Sequence, residues 1–345
     1  MIKEYLEKIS SHEDLSREEA ARILQMIIDD QLSATEIGAF LFGLRMKGES
    51  EEEILGFIDT MQRNMIAIQL NDPDAIDVCG TGGDQKHTFN VSTTAALVVA
   101  AGGVTVAKHG NRSVSSQTGS ADVLEKLGIK IDLPPEKTKQ CIDEIGIGFF
   151  FAPLYHPAMK AVIPHRRNLA TRTIFNMLGP LLNPAGVRRQ LIGTFNKETA
   201  AKTAAVLKKR NYLKACVAYS NDGFDEVSPF APTRIYEVRI NDSELKSYLF
   251  RPTKSAYAPQ ENLAIYGGDS EQNTLITLSV LRGNQGAARE MTAINAAFGL
   301  YVGDKVPSVR EGIVLASELI DSGSALKKLN EYRQISNDLA NRAVA

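Results

Sequence analysis

Behind Ser16 the apolar residues Ala20, Ile23, Leu24, Ile27 and Ile28 repeat at helical spacing, and behind Ser33 so do Ile37, Phe40, Leu41 and Leu44. Each run starts from a serine with a glutamate three residues on: Ser16 with Glu19, Ser33 with Glu36, and again Ser50 with Glu53. In such a capping box the hydroxyl accepts a free amide of the first turn while the carboxylate accepts the serine's own amide, so each pair predicts a helix start. Gly48 is placed to stop the second of these helices. The stretch 1–72 therefore reads as a helical unit. Its short helices carry ample apolar surface, which predicts packing on the rest of the chain or on a second copy.

From Ile76 the pattern turns into short apolar runs that end in glycine-rich loops and lead into helices, the rhythm of a parallel α/β domain. Predicted strands are Ile76 to Cys79, Val104 to Ala107, Gly148 to Ala152, Gln190 to Thr194 and Ala215 to Tyr219. Predicted helices between them are Thr93 to Ala101, Ser120 to Leu127, Pro135 to Ile145 and Lys197 to Arg210. From His156 to Pro184 helical pieces cut by Pro157, Pro164, Pro180 and Pro184 break the alternation, and a return to the helical unit is expected there. Beyond Tyr236 the pattern weakens, with helical spacing over Thr274 to Leu281, Ala287 to Leu300 and Ser308 to Ser322.

Composition narrows the class. At 345 residues the chain exceeds the size at which one core usually stops growing, so two domains are expected. With 43% hydrophobic and 23% charged residues and no low-complexity tract, a disordered or fibrous chain is excluded. The most apolar stretch, Ala95 to Gly103, is too short to cross a bilayer, and Met1 to Tyr5 carries charge where an export signal needs an apolar run, so a cytoplasmic protein is expected. A net charge of -2 argues against a broad nucleic-acid surface and favours a small anionic ligand in a local basic pocket. Cys79, Cys141 and Cys216 lie far apart without a C-x-x-C pair and read as buried free thiols, not as a metal site.

Three predicted strand ends carry candidate chemistry. Gly80-Thr81-Gly82-Gly83-Asp84 follows the first strand and precedes a helix that starts near Asn90 to Thr93, so backbone amides and a helix N-terminus are available to a diphosphate. It has neither the Walker nor the Rossmann spacing. Lys108 to Ser116 follows the second strand with two cations, a glycine and several hydroxyls, at the end of a parallel sheet where ligands bind. Asp222-Gly223-Phe224-Asp225-Glu226 follows the fifth strand. Its adjacent carboxylates suit Mg²⁺, although a surface acidic turn fits the same residues. An arginine can grip a carboxylate through two parallel hydrogen bonds, which suits a benzoate-type acceptor, but residue chemistry alone does not choose Arg166 over its neighbours. His109 and His156 stand as candidate bases or as structural hydrogen-bonders.

Taken in order, GTGGD, TFNVST, KHGNRSVSS, GSADVLEKLG, HPAMK, RTIFNMLGPLLNP, DGFDE, GGDSEQN and the late AxNAAFGLY segment resemble the anthranilate phosphoribosyltransferase family, from about Ser16 to about Ser322. The resemblance implies an α/β fold of the nucleoside phosphorylase/phosphoribosyltransferase type. In it a small discontinuous α-helical domain, 1–72 with a return segment 165–187, accompanies a large α/β domain, 73–164 and 188–345, with a central mostly parallel sheet. It implies transfer of the 5-phosphoribosyl group of phosphoribosyl diphosphate (PRPP) to the amine of anthranilate, a step of tryptophan biosynthesis, with two Mg²⁺ ions and a homodimer formed through the helical domain. Neither a nucleic acid nor a membrane is an expected partner.

By the same resemblance Gly80, Gly83, Asp84, Thr88, Asn90, Val91, Ser92, Thr93, Lys108, His109, Gly110, Asn111, Arg112, Ser113, Val114, Ser115, Ser116 and Ser120 line the PRPP site. Ser92 and Glu226 hold one Mg²⁺, and Asp225 with Glu226 a second. Gly80, Asn111, His156, Arg166 and Pro180 meet anthranilate, with His109 along its approach; Lys108, His109, Asn111 and Arg166 act on the reacting groups. Gln85, Lys86 and His87 stand where many members carry smaller residues, Gln117 stands where a lysine is frequent, and Tyr155 precedes His156 in the acceptor channel. Two other readings stay open: a pyrimidine nucleoside phosphorylase of this fold, and a non-catalytic nucleic-acid-binding relative. The Asp225-Glu226 pair weighs against the first, the net charge against the second.

Overall fold

The computed structural model describes residues 2–113, 118–252 and 265–342. After α1 (Ile2–Ser10), the three serine–glutamate pairs open α2 (Arg17–Ile28), α3 (Ala34–Lys47) and α4 (Glu51–Arg63), each as a complete reciprocal capping box. Gly48 ends α3 at φ 85°, a conformation that glycine reaches without strain.

The α/β part follows as β1 (Ile76–Gly80), α5 (Val91–Ala101), β2 (Val106–Gly110), α6 (Ser120–Lys126), α7 (Pro135–Ile145) and β3 (Ile147–Phe151). A broken segment comes next: α8 (Ala152–Tyr155), α9 (Met159–Leu169), α10 (Phe175–Leu178) and a 3-10 turn at Gly179–Leu181. The chain re-enters the sheet with β4 (Arg189–Gly193), α11 (Lys197–Lys209), β5 (Lys214–Ser220), β6 (Thr233–Arg239) and β7 (Lys246–Phe250). It closes with α12 (Ser270–Leu281), α13 (Ala287–Val302), α14 (Val309–Asp321) and α15 (Ser324–Asn341).

Among the described residues the strands form one seven-stranded sheet in the order β3-β2-β1-β4-β5-β6-β7. Its first five strands are parallel, while β6 and β7 add antiparallel at one edge. Side chains alternate across it: Cys216 and Ala218 of β5 face a core shared with α5, α13 and α15, whereas Ala215 and Val217 face a core built from α2, α3, α4 and α11. Covered on both faces, the central strands are mostly apolar, as a parallel sheet demands, and among the exceptions Asp77, Lys108, His109 and Gln190 are buried polar groups. The helix α5 is buried along nearly its whole length, which accounts for its almost unbroken apolar sequence.

Three expectations need correction. First, β2 runs through Gly110, so Lys108 and His109 lie within the strand and not in a loop after it. Second, β6, β7 and α15 are additional to the elements expected from the pattern. Third, the piece that turns back toward α2 and α3 includes α9 from Met159, ahead of residue 165, with Pro164 inside that helix.

Candidate active site

The strand order reverses at β1, whose neighbours are β2 on one side and β4 on the other, so the crevice above their C-terminal ends is the expected ligand position. Glycines make room there. A Cβ on Gly193, at the end of β4, would lie 1.6 Å from the Asp225 carbonyl oxygen, and one on Gly80 would lie 2.8 Å from Asp225 Oδ2. Without them the turn after β5 crosses the crevice and meets the loop after β1. Gly82 N–H donates to Asp225 Oδ2 at 2.8 Å, and Asp225 N–H donates to Asp84 Oδ2 at 3.3 Å. On the other side of the turn Glu226 Oε1 accepts Ser92 N–H at 3.2 Å, at the first turn of α5. Lys108 Nζ stands 3.4 Å from Ser92 Oγ and donates to Val78 O at 2.7 Å.

Asp225 and Glu226 are each only 8% exposed, which removes the surface-turn reading. Burial, and then the nearby Asp84 carboxylate, push the Asp225 carboxyl up to about 8. Burial and Asp225 push Glu226 up as well, with Lys108 opposing them. Three carboxylates crowded in a low-dielectric crevice around one lysine favour an added cation, and their hard oxygen donors fit Mg²⁺. Among the described residues no three acidic, histidine or cysteine side chains already converge on one ion position. Mg²⁺ typically takes one or two protein carboxylates and completes its octahedron with substrate phosphates and water.

The acceptor side is built from β2 and the broken segment. His109 Nδ1 lies 3.1 Å from Gly179 O, and its Nε2 lies 3.2 Å from His156 Nε2. Pro180, directly after Gly179, is buried, and its carbonyl accepts Gln190 Nε2 at 2.8 Å. Burial, with His156 close by, lowers His109 to about 3; burial lowers His156 to about 4. Arg166 on α9 stands with its guanidinium 5.6 Å from the Phe175 ring centroid. Burial pulls its pKa down, and among the described residues no carboxylate pairs with it. A half-buried guanidinium without a counter-ion is suited to an anionic ligand.

Residues 72–326 match the glycosyl transferase family's a/b domain, and residues 3–65 match its helical bundle domain. Anthranilate phosphoribosyltransferase from Alkaliphilus metalliredigens is 42% identical over 339 residues, covering 98% of this chain and 99% of the relative. The enzyme of the same name from a Thermoanaerobacter species is 46% identical over 333 residues, covering 96% and 97%. The chain belongs to the anthranilate phosphoribosyltransferase family. The Thermus thermophilus anthranilate phosphoribosyltransferase structure superposes with a TM-score of 0.88 at 36% identity, covering 96% of this chain and 99% of that one. The Saccharomyces cerevisiae enzyme in complex with PRPP and Mg superposes with a TM-score of 0.86 at 27% identity, covering 98% of both.

Within this family fold the expected site residues separate into groups. Gly80, Gly83, Asp84, Ser92, Lys108, Asp225 and Glu226 belong to the crevice or its rim. Thr88 pairs with Tyr266 in a short bridge, and Asn90 Oδ1 accepts Asn273 Nδ2 at 2.9 Å, so the residues after the Gly80–Asp84 loop are braced by the C-terminal part of the chain. The Thr93 hydroxyl is buried without a partner among the described residues. Asn111 Oδ1 accepts Arg112 N–H at 2.7 Å, and Ser120 Oγ donates to Asn111 O at 3.3 Å, which ties the end of β2 to the start of α6. Ser113 N–H donates to Asp122 Oδ2 at 3.3 Å.

Two of the expected residues direct their side chains to protein partners. The Arg112 guanidinium turns to Asp122 and Glu125 at 2.8 and 2.9 Å. The Val91 side chain packs with Phe89, Phe224 and Ile265, and its N–H donates to Phe89 O at 2.7 Å. Val114, Ser115, Ser116 and Gln117 lie outside the described residues.

Sequence reasoning missed two partners. The closeness of Asp84 to Asp225 joins loops 141 residues apart, for which no local signal exists. Arg172 was legible only as part of the RTIFN run; its guanidinium donates to Gly83 O and lies 4.3 Å from the Phe195 ring centroid, while its own carbonyl accepts Arg45 Nη1 of α3 at 3.0 Å. Lys86, one of the departures, lies 5.7 Å from the Phe224 ring centroid and so leans on the acidic turn. An open cleft of about 620 Å³ elsewhere is bordered by Lys8, Lys202 and Lys209. These lysines pair with Glu19, Glu198 and Glu51, so it offers no spare cation.

Proposed function

We propose that this chain transfers the 5-phosphoribosyl group of PRPP to the amine of anthranilate, releasing diphosphate, in tryptophan biosynthesis. The observation that carries the reading is the meeting of three strand ends, from β1, β2 and β5, in one buried crevice of carboxylates, amides and a lysine. The bond that breaks joins the ribose anomeric carbon to diphosphate, and the ring oxygen shares the developing positive charge. The leaving group then needs its charge neutralised more than it needs a proton. Mg²⁺ supplies most of that neutralisation when bound, and a pair of ions is the stoichiometry we propose, with Ser92 and Glu226 on one and Asp225 and Glu226 on the other.

Lys108 adds a fixed cation beside Ser92, and the Gly82 amide meets the same crevice at Asp225. Anthranilate's aromatic amine carries its lone pair at neutral pH, so placement in line with the anomeric carbon supplies much of the rate. In this reading Arg166 grips the acceptor carboxylate, Asn111 and Gly80 orient it, and His109, His156 and Pro180 line its approach.

The helical domain comprises 1–72 with the broken segment as its return, supported by the packing of α9 on α2 and α3. A homodimer formed through this domain is supported by the exposed side chains of Phe42 and Met46 on α3. Three unpaired buried thiols, Cys79, Cys141 and Cys216, accord with a reducing, cytoplasmic compartment. Among the described residues no helix is long and apolar enough to cross a membrane.

The deciding assay incubates the chain with PRPP, Mg²⁺ and anthranilate and follows the acceptor's fluorescence, which should fall only when all three are present. Asp225→Asn combined with Glu226→Gln should lower turnover by at least roughly a hundred-fold and blunt its dependence on Mg²⁺. Near-normal activity of that variant would refute the metal assignment.

A further inference from the structure

The ladder between β1 and β2 stops almost as soon as it starts. Ile76 pairs with Val106 and no further register follows, whereas β1 pairs with β4 through Gly80 and β2 pairs with β3 through Gly110. The sheet is therefore split between β1 and β2 in its upper half, directly below the crevice. Backbone groups in such a split must find other partners, because an unpaired buried N–H or C=O is costly.

Side chains supply them. His109 N–H, which a continued ladder would direct to the β1 backbone, donates to Asp77 Oδ1 at 3.3 Å. Val78 O is taken by Lys108 Nζ at 2.7 Å, and Ala107 O by Asn183 Nδ2 at 2.8 Å. Asn183 Nδ2 also donates to Asp77 Oδ2 at 2.9 Å, and Asn183 Oδ1 accepts Ala185 N–H at 2.9 Å. Asp77 is fully buried, and Asn183 and Lys108 nearly so. The stitch thus joins three parts: β1, which leads to the Gly80–Asp84 loop; β2, which carries Lys108 and His109; and the segment Gly179–Asn183, which carries Pro180 and receives His109.

We infer that Asp77 and Asn183 are positioning residues for the transfer: with Lys108 they hold β1 and β2 apart and tie the acceptor-side segment to the donor-side strands. This rests on the proposed reaction and adds two residues that touch neither substrate. An apolar pair of the same volume would fill the space equally well but would leave the split backbone unsatisfied, so the strands would close or shift. A displacement of about 1 Å at the reacting groups is worth on the order of a hundred-fold in rate.

The test compares the wild-type chain, Asp77→Asn, Asn183→Ala and the double variant, each assayed well below its own melting temperature. Asn183→Ala should raise the anthranilate KM about ten-fold while the PRPP KM stays within about two-fold, since Asn183 belongs to the acceptor-side segment. Asp77→Asn, which sets two amide groups against each other, should lower kcat/KM for anthranilate on the order of ten- to a hundred-fold. The double variant should be no worse than the poorer single one, as befits residues that act as a unit. Unchanged kinetic constants in folded variants, whatever happens to Tm, would overturn the inference, and so would losses that multiply. Should Asp77→Asn fail to fold, the KM split in Asn183→Ala decides alone. A wild-type chain that turns over no anthranilate would overturn the parent reading and this one together.

Discussion

The geometry of the His109–His156 contact constrains its protonation. Gly179 O can only accept, so His109 Nδ1 carries a proton and its Nε2 is left as the acceptor for His156 Nε2–H. Both imidazoles are then neutral in the folded chain, which agrees with pKa values lowered to about 3 and about 4 by burial. A histidine lowered on folding contributes stability above its unfolded value near 6.5, and that contribution is lost as pH falls toward the folded value. By pH 5 each should cost on the order of 1–2 kcal/mol. We therefore expect Tm to drop between pH 7 and 5 and to drop less in His156→Gln; equal slopes would contradict a neutral pair. For the same reason kcat should show no inflection near pH 6.5. The family resemblance implies that both histidines line the acceptor's approach, yet their mutual contact spans 47 residues and no spacing rule announces it.

At the level of single elements, local signals read best. The three capping boxes are satisfied entirely within four residues, so each helix start was legible without the rest of the chain. Their consequences differ. Glu36 caps only its own exposed helix start, whereas Glu53 is buried and also accepts Leu15 N–H at 2.9 Å and Lys47 Nζ at 3.0 Å. Glu36→Ala should cost about 1 kcal/mol or less, and Glu53→Ala about 2–3 kcal/mol, because it leaves the buried Leu15 amide without its acceptor and takes one of two carboxylates from Lys47, which keeps Asp14. Chemical denaturation of the two variants checks this, and equal losses would count against it. The edge strands β6 and β7 were harder: β7 is half exposed, and Thr, Arg and Glu interrupt the apolar run of β6. Helix α15 was legible in principle, since its buried residues Ala325, Leu329, Tyr332, Ser336 and Leu339 keep helical spacing, but a central serine weakens the stripe.

For the whole molecule, the exposed apolar side chains of α3 set the testable question. Phe42 is 48% exposed and Met46 67%, one turn apart on the same helix face. If they seat a second copy, Phe42→Glu with Met46→Glu should convert a dimer into a monomer in sedimentation at micromolar concentration and leave the fold intact by circular dichroism. A wild-type chain that already sediments as a monomer would dispose of the interface.

By itself the sequence determined what is local: the helix starts, the alternation of strand and helix, the glycine-rich strand ends and the residue types able to hold a diphosphate and a cation. These follow from backbone hydrogen bonding and side-chain periodicity within a few residues. Only the tertiary structure decided that Asp84, Asp225 and Glu226 share one buried crevice, that the Arg112 side chain turns away from it, and that Asp77 and Asn183, 106 residues apart, stitch a split sheet beneath it. Such contacts depend on which strands become neighbours, and that is settled by burying both faces of the sheet at once.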